Sequence, residues 1–263
     1  MNNNPIGIFD SGIGGLTVFS EIRNKLPNEN LIYLGDTKNF PYGNKSQNDI
    51  ISFSMRITKK LIELHCKAIV IACGTATSQS IDTLTKNFDL PILGIISPTI
   101  QYVKNKNISK IGVMATEGTI RSNAWKKCLT SEMPNIQVFN QSCPMLAQIA
   151  EEGLIKSDIS RKKIREYVNI FIENNITDII LGCTHYPLYR EIIQEEMPYK
   201  VNLINTGISV ANELSYLLKN SNLENSDFNS CYEKFFITKP ESSFKNIAKN
   251  ILKKNVELNF LDF

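Results

Sequence analysis

Two kinds of hydrophobic pattern alternate along the chain. Short apolar runs predict buried strands, and apolar residues spaced by three or four positions predict amphipathic helices. The predicted strands are residues 6–9, 31–34, 69–72, 91–95, 111–115, a short strand near 138, 179–181, 201–204 and, at a sheet edge, 235–237. The predicted helices are residues 16–26, 46–64, one ending near 88, 119–131, 144–152, 157–174, one ending near 196, 206–219 and 242–253, with Ser242 as a cap and a polar loop over 220–230. Strands that alternate with helices favour parallel sheets with helices on both faces.

The order of these elements indicates an internal duplication. Residues 6–8 align with residues 111–113, the strand before Cys73 aligns with the strand before Cys183, and residues 91–94 align with residues 202–205. Chance similarity between buried strands is the alternative, but a Cys followed closely by a Thr in both copies is not a general feature of such strands. We therefore expect an α/β protein with two similar doubly wound lobes and mainly parallel sheets facing each other across a cleft. Residues 1–97 with 208–263 would form the first lobe, and 98–207 the second.

Composition narrows the class of protein. The chain has 263 residues, 42% of them hydrophobic and 21% charged, which is typical of a globular protein with a substantial core. The net charge of +3 is not concentrated in a basic run, so neither nucleic acid nor a membrane surface is implied as a partner. The N-terminus lacks a secretory pattern and no apolar run approaches about 18 residues, so we expect a cytoplasmic protein. Six unclustered cysteines in a reducing compartment would be free thiols.

Cys73 and Cys183 are the candidate chemical groups. Each follows a strand at the point where a helix is expected, and the carboxyl ends of parallel strands are where open α/β sheets bind ligands. A thiolate on one side of an acidic carbon and a thiol on the other can invert a stereocentre without a cofactor. Asp10 and His185 are placed to orient or deprotonate the thiols. The alternative is that each cysteine is simply a packed core residue.

Two other kinds of site are considered for the same region. The turn Gly12-Ile13-Gly14-Gly15 precedes a predicted helix, and its N–H groups suit an anionic ligand, although it does not match a dinucleotide or P-loop fingerprint. The run Cys183-Thr184-His185 lacks the spacing of a structural zinc site, so no metal is expected.

Several motifs together resemble the cofactor-independent glutamate racemases of bacteria. The matching segments are Ile8-Phe9-Asp10-Ser11-Gly12-Ile13-Gly14-Gly15-Leu16-Thr17, Pro41-Tyr42-Gly43, Ala72-Cys73-Gly74-Thr75-Ala76, residues 116–122, Cys143-Pro144, Glu151-Glu152-Gly153, Gly182-Cys183-Thr184-His185-Tyr186-Pro187-Leu188 and residues 240–252. The resemblance covers essentially the whole chain, and the arrangement of two cysteines is shared mainly with aspartate racemases and related enzymes.

The resemblance implies a two-base racemisation of glutamate that supplies D-glutamate for peptidoglycan, by an enzyme that is usually a homodimer. It implies that Cys73 and Cys183 are the proton donor and acceptor, each in one direction, with Asp10, Glu151 and His185 as supporting acid–base groups. The residues that it implies in substrate binding are Asp10, Ser11, Pro41, Tyr42, Gly43, Gly74, Thr75, Thr116, Thr119, Thr184 and His185.

Three positions depart from the usual pattern of that family. Gly74 stands where Asn is usual, residues 205–207 read Asn-Thr-Gly where Asp-Ser-Gly is frequent, and Gln148 stands where Pro is frequent. Loss of the Asn side chain would remove one hydrogen bond to the substrate. Two alternatives therefore stay open: a racemase for aspartate or another amino acid that uses the same two thiols, and a two-lobed amino-acid-binding protein without activity.

Overall fold

The chain forms two parallel β-sheets surrounded by helices. The computed structural model describes residues 2–226, 231–240 and 243–262. In chain order the strands are β1 (Ile6–Asp10), β2 (Leu31–Gly35), β3 (Ala68–Ile71), β4 (Ile92–Gly94), β5 (Lys110–Ala115), β6 (Gln137–Ser142), β7 (Asp178–Leu181), β8 (Asn202–Asn205), β9 (Glu233–Ile237) and β10 (Leu258–Phe260). The helices are α1 (Leu16–Lys25), α2 (Gln47–Glu63), α3 (Gly74–Asn87), α4 (Ile96–Asn105), α5 (Glu117–Ser122), α6 (Ala124–Glu132), α7 (Leu146–Glu151), α8 (Asp158–Glu173), α9 (Arg190–Glu196), α10 (Thr206–Asn220) and α11 (Phe244–Leu252). Over the described ranges, none of these helices has the length and apolar character needed to cross a membrane.

The two sheets share one strand order. The first sheet runs β10-β9-β2-β1-β3-β4 and the second runs β6-β5-β7-β8, and each neighbouring pair of strands is parallel. The strands β2-β1-β3-β4 therefore correspond one to one with β6-β5-β7-β8. This confirms the expected class, an α/β protein with two similar lobes, and the correspondence follows the alignment of the two halves of the sequence.

The core lies in three layers because the central strands are buried on both faces. Ile8 and Val70 from the first sheet and Val113 from the second pack into one cluster together with α1, α4 and α10, which lie between the sheets. Phe9 and Ile71 point to the opposite face, where α2 and α3 cover the first sheet. On the outer face of the second sheet, α8 and α9 complete a third cluster. Continuous apolar strands are what a parallel sheet covered on both faces requires.

Some predicted elements differ from the observed ones. The helix expected over 119–131 is divided into α5 and α6, because Asn123 has a left-handed backbone with φ of 58°. The strand expected at a sheet edge, β9, is an inner strand, because β10 pairs with its outer side. Neither β10 nor α4 was predicted. The expected cap Ser242 and part of the polar loop over 220–230 lie outside the described residues.

We propose the division into lobes that the sequence suggested, residues 1–97 with 208–263 and residues 98–207. The strands of the first sheet all fall in the first of these sets, and the strands of the second sheet all fall in the other. Helix α10 begins two residues before the proposed boundary at 208 and packs on α1 of the first lobe. The cleft between the lobes is where the carboxyl ends of β1, β3 and β7 meet.

Candidate active site

Cys73 is held at the start of a long helix. It follows β3 and is the N-terminal cap of α3, where its sulfur accepts a hydrogen bond from the backbone N–H of Ala76 at 3.5 Å. Its other hydrogen-bond partner is the hydroxyl of Ser11, at 3.7 Å. The side chain is 6% exposed. Burial raises the pKa of this thiol to about 12, and the negative charge of Asp10 adds to the effect. Cys73 is therefore a protonated thiol near neutral pH.

Cys183 lies in a different local structure. A single residue, Gly182, separates it from β7, and two residues separate it from the short 3₁₀ helix Tyr186–Tyr189. The prediction that a helix starts at Cys183 is therefore wrong, because no α-helix begins there. Its sulfur lies 3.6 Å from Nδ1 of His185. On the other side of the ring, Nε2 of His185 lies 2.8 Å from Oε1 of Glu151. Thiol, imidazole and carboxylate thus form a chain of three groups, and the first two come from one tripeptide.

The pKa of His185 depends on these two neighbours. Burial alone lowers the pKa of the imidazole, but the hydrogen bonds to Cys183 and Glu151 and the negative charges of these groups outweigh it. The net result is a pKa well above the usual value for histidine. An imidazole with a raised pKa that lies within hydrogen-bond distance of the Cys183 sulfur is placed to exchange a proton with it.

Glu151 and Asp10 connect the two lobes. Oε1 of Glu151 accepts a hydrogen bond of 2.7 Å from the backbone N–H of Ile13, so a carboxylate of the protein itself contacts the Gly-rich turn expected to suit an anion. Oδ1 of Asp10 accepts from the N–H of Gly12, and Oδ2 accepts a hydrogen bond of 3.1 Å from the hydroxyl of Thr184. Burial raises the pKa of Asp10, although the charge of His185 opposes the increase.

Two residues near this site were not predicted to contribute to it. The hydroxyl of Thr17 donates a hydrogen bond of 2.8 Å to the carbonyl of Thr184, across the lobes. The hydroxyl of Tyr33 donates one of 2.7 Å to the carbonyl of Gly12, beneath the Gly-rich turn. Thr17 belongs to the matched motif, which was its only signal. Tyr33 is an aromatic residue in an apolar strand, and such a residue usually has only a packing role.

The threonines implied in substrate binding form a second polar group at the cleft. The hydroxyl oxygen of Thr75 lies 2.8 Å from that of Thr116 and 3.2 Å from that of Thr119, and the last two are 2.9 Å apart. Thr75 belongs to α3 of the first lobe, whereas Thr116 caps α5 of the second. Three hydroxyls that hydrogen bond to each other can instead contact a small polar ligand at little cost.

The loop with Pro41, Tyr42 and Gly43 approaches the second lobe. A Cβ atom built on Gly43 would lie 3.0 Å from Cβ of Thr116, which shows how closely the loop packs there. The ring of Phe40, before the cis peptide bond to Pro41, lies 5.9 Å from the ring of His185. Tyr42 is buried, and its hydroxyl donates to the carboxyl group of Asp36 and not to either thiol.

Gly74 and Gly182 are in contact across the cleft. A Cβ atom built on Gly74 would overlap the carbonyl oxygen of Gly182. Each glycine is the immediate neighbour of one candidate thiol, so this contact brings the two cysteines near each other, and the proximity of Cys183 adds to the raised pKa of Cys73. The Asn that is usual at position 74 would need the two backbones to move apart.

The assembled site combines two thiols with acid–base partners. Asp10, Ser11, Cys73, Glu151, Cys183, Thr184 and His185 are brought together directly, and Thr75, Thr116, Thr119 and the 41–43 loop lie beside them. Over the described ranges, no three His, Cys, Asp or Glu side chains are grouped so that they could hold a metal ion. The arrangement can remove a proton from one side of a small molecule and donate one to the other.

Known proteins similar to this chain include several glutamate racemases. A glutamate racemase of Lactococcus lactis subsp. lactis is 36% identical over 253 residues, which is 96% of this chain and 93% of the relative. The crystal structure of the Francisella tularensis glutamate racemase in complex with D-glutamate is 34% identical, covers 100% of this chain and 98% of its own, and has a TM-score of 0.92. A glutamate racemase isoform of Bacillus anthracis has a TM-score of 0.94 at 33% identity, with coverage of 100% and 98%.

A family assignment follows from the sequence match. The family described as Asp/Glu/Hydantoin racemase matches residues 14–214, which include both candidate cysteines, the Thr75, Thr116 and Thr119 hydroxyls, Glu151 and His185. Its match covers more than half of the chain, and relatives above 30% identity match nearly all of it. The chain belongs to the Asp/Glu/Hydantoin racemase family.

Proposed function

We propose that the protein is a glutamate racemase that interconverts L- and D-glutamate without a cofactor. The observation that carries the proposal is that Cys73 and Cys183, at corresponding positions of two similar lobes, flank the contact between Gly74 and Gly182, with a hydrogen-bonding group beside each thiol. Family membership and relatives named glutamate racemase support the choice of substrate. A racemase of this kind is an isomerase, since the product differs from the substrate only at one carbon.

The reaction needs two proton transfers on opposite faces of the α-carbon. In one direction the Cys183 thiolate removes the α-proton while His185 holds the proton that the thiol gave up. The Cys73 thiol then donates its proton to the other face of the carbanion, so the α-carbon regains one hydrogen with inverted configuration. The reverse direction begins with Cys73 as the base. Proton transfer by a positioned group contributes about 10²–10⁴-fold to the rate.

The other site residues have assigned roles in this proposal. Asp10, Glu151 and His185 support the two thiols as acid–base groups. Substrate contacts are assigned to Ser11, the 41–43 loop, the backbone at Gly74, the Thr75, Thr116 and Thr119 hydroxyls, and Thr184. We infer that the Thr hydroxyls exchange their mutual hydrogen bonds for contacts with the carboxylates or amino group of glutamate.

A D₂O assay tests the proposal. Purified protein with L- or D-glutamate and no added cofactor should give loss of optical rotation together with incorporation of solvent deuterium at the α-carbon. Cys73→Ala and Cys183→Ala should each lower the rate of racemisation about 10²–10⁴-fold, because one of the two proton transfers is lost. Full turnover in both variants would overturn the two-thiol mechanism.

The same assay separates the remaining readings. If aspartate or another amino acid is racemised faster than glutamate, that amino acid is the substrate. The rates for several amino acids need to be compared because Gly74 stands where the family usually has Asn. Tight binding of glutamate without deuterium incorporation would instead indicate an amino-acid-binding protein.

We also propose that the enzyme is a cytoplasmic homodimer that supplies D-glutamate for peptidoglycan. The cytoplasmic assignment is supported by the free thiols of all six cysteines, since reducing compartments keep thiols unpaired. Light scattering coupled to gel filtration should give about twice the 29.7 kDa mass of the chain. Growth of a strain that lacks its own racemase, restored by this gene without added D-glutamate, would test the cellular role.

A further inference from the structure

One buried carboxyl group has no part in the proton transfers described above. Asp36 follows β2 and is 2% exposed. Oδ1 accepts a hydrogen bond of 2.8 Å from the hydroxyl of Thr238, and Oδ2 accepts one of 2.9 Å from the amide of Asn39 and another from the hydroxyl of Tyr42. The backbone N–H of Asp36 donates to the carbonyl of Asp10 at 2.9 Å. The group is therefore fully hydrogen bonded and connects the end of β1 to the loop that follows β2.

The loop held by Asp36 covers the cleft. We call residues 36–44 the covering loop. Phe40 packs near His185, and a Cβ atom built on Gly118 of the second lobe would lie 2.6 Å from the carbonyl of Gly43. The loop therefore starts in the first lobe and reaches the second. Its position decides where Tyr42 and Gly43 lie relative to the cleft.

The base of the covering loop is clamped by the residues that follow β9. The hydroxyl of Thr37 donates to the carbonyl of Lys239 at 2.7 Å, and the N–H of Lys239 donates back to that hydroxyl at 2.9 Å. The hydroxyl of Thr238 accepts from the N–H of Lys38 at 2.9 Å while it donates to Asp36. A segment about 200 residues away in sequence thus fixes the base of the loop.

Tyr42 links this clamp to the reaction site. Its side chain lies in the same buried cluster as Cys73. Burial and the negative charge of Asp36 raise the pKa of Tyr42 well above its usual value, so the phenol keeps the proton that it donates to Asp36. A hydrogen bond to a charged acceptor contributes more than one between neutral groups, which makes Asp36 an effective anchor.

We propose that Asp36, held by Thr238, is a positioning residue that fixes Tyr42 and the covering loop for substrate binding. The inference rests on the proposed racemase function and extends it to the C-terminal part of the chain. Asp36 does not touch the thiols, and it acts through Tyr42. Its loss should therefore raise KM more than it lowers kcat, because a misplaced loop weakens substrate contacts while both thiols stay in place.

A double-mutant cycle tests this link. Asp36→Asn and Tyr42→Phe should each lower kcat/KM for glutamate about 10- to 100-fold, mainly through KM. Because both substitutions break the same contact, kcat/KM of the double variant should be no lower than that of the less active single variant. Thr238→Val should lower kcat/KM about tenfold by the same route. Thr58→Val is the matched control, because Thr58 is equally buried and its hydroxyl has no hydrogen-bond partner in the described residues, so its kinetics should equal those of the unmodified protein.

The outcomes distinguish this inference from the proposed function. An unmodified protein that does not racemise glutamate overturns the function itself. An active protein in which the effects of Asp36→Asn and Tyr42→Phe simply add, or in which Thr238→Val behaves like Thr58→Val, overturns only the role of Asp36. Should Asp36→Asn fail to fold, the cycle is run with Thr238→Val and Tyr42→Phe, whose effects should again be non-additive.

Discussion

The surroundings of Cys73 and Cys183 differ more than the likeness of the two lobes suggests. Cys73 caps a helix of 14 residues and has a serine hydroxyl beside it. Cys183 has no such helix, and its partner is an imidazole that is itself bound to a carboxylate. The corresponding strands place the two thiols in equivalent positions, but only Cys183 has an imidazole within hydrogen-bond distance.

A symmetric fold therefore does not make a symmetric site. A protein that returns a proton to the opposite face needs one acid and one base at the same time. Burial keeps Cys73 protonated, whereas Cys183 lies beside an imidazole whose pKa is raised. In the direction of the proposed reaction that begins with Cys183, His185 is the group placed to accept the thiol proton.

Alkylation by iodoacetamide should show the largest difference between the two thiols. Because the pKa of Cys73 is about 12, three units above the ordinary 9.0, its reactivity at pH 8 should be about 1000-fold below that of an unperturbed thiol. Its rate should rise about tenfold per pH unit. Peptide mapping by mass spectrometry should find Cys183 modified before Cys73, and equal labelling of these two cysteines at pH 8 would contradict the expected difference in reactivity.

Removal of the His185 imidazole should take away the group that distinguishes Cys183 from Cys73, and racemisation should slow. His185→Asn cannot take the proton of Cys183, so we expect a loss of about 10²–10³-fold in kcat/KM for both enantiomers of glutamate. Circular dichroism follows the change in optical activity. His65→Asn is the matched control, since His65 is the only other histidine and has a left-handed backbone, which Asn tolerates. Similar rates for the two variants would remove His185 from the mechanism.

Loss of the Ser11 hydroxyl, the partner of Cys73, should lower kcat/KM less than loss of the His185 imidazole. Ser11→Ala removes one hydrogen bond to Cys73 but no acid–base group, so a decrease in kcat/KM of at most about tenfold is expected. Ser54→Ala, at a buried serine whose hydroxyl has no partner in the described residues, should leave the rate unchanged. A loss for Ser11→Ala as large as that for His185→Asn would mean that the two thiols are supported equally.

The smallest effect concerns stability at alkaline pH. The folded pKa of Cys73 and of Cys66 is about 12, whereas the unfolded value is near 9.0, so above pH 9 the unfolded chain loses protons that the folded chain retains. The free energy of unfolding should then fall as pH rises, by at most about 1.4 kcal/mol per pH unit for each thiol. Urea unfolding of Cys66→Ala from pH 8 to 10.5 should give a shallower slope than the unmodified protein. Cys231→Ala, at an exposed thiol, is the control.

Much of the fold could be predicted because its strands carry the pattern of a doubly covered parallel sheet. The order of the two halves and the places of Cys73 and Cys183 after β3 and β7 followed from that pattern. Helix α4 was not among the predicted elements; it accommodates Pro98 because a proline in the first turn of a helix costs no intrahelical hydrogen bond. Strand β10 was missed because three residues with two exposed side chains carry no periodic signal.

The candidate site was predictable as a set of residues but not as a network. The motifs point to Cys183, His185 and Glu151, yet they do not say that Glu151 also binds the N–H of Ile13. Contacts between residues more than 100 positions apart depend on how the lobes pack, and local sequence does not encode that. Thr238 was not predicted for the same reason, since its proposed role depends on its hydrogen bond to Asp36.

The clamp between the covering loop and the residues after β9 also has a consequence for biosynthesis. Domains fold in order as the chain leaves the ribosome, at about 5–20 residues per second. The second sheet is complete at Asn205, whereas the clamp requires Thr238 and Lys239. The covering loop is therefore translated about 200 residues before its anchor. A nascent chain keeps that loop unanchored through most of its synthesis, and the substrate-binding surface is finished only when the C-terminal strands dock.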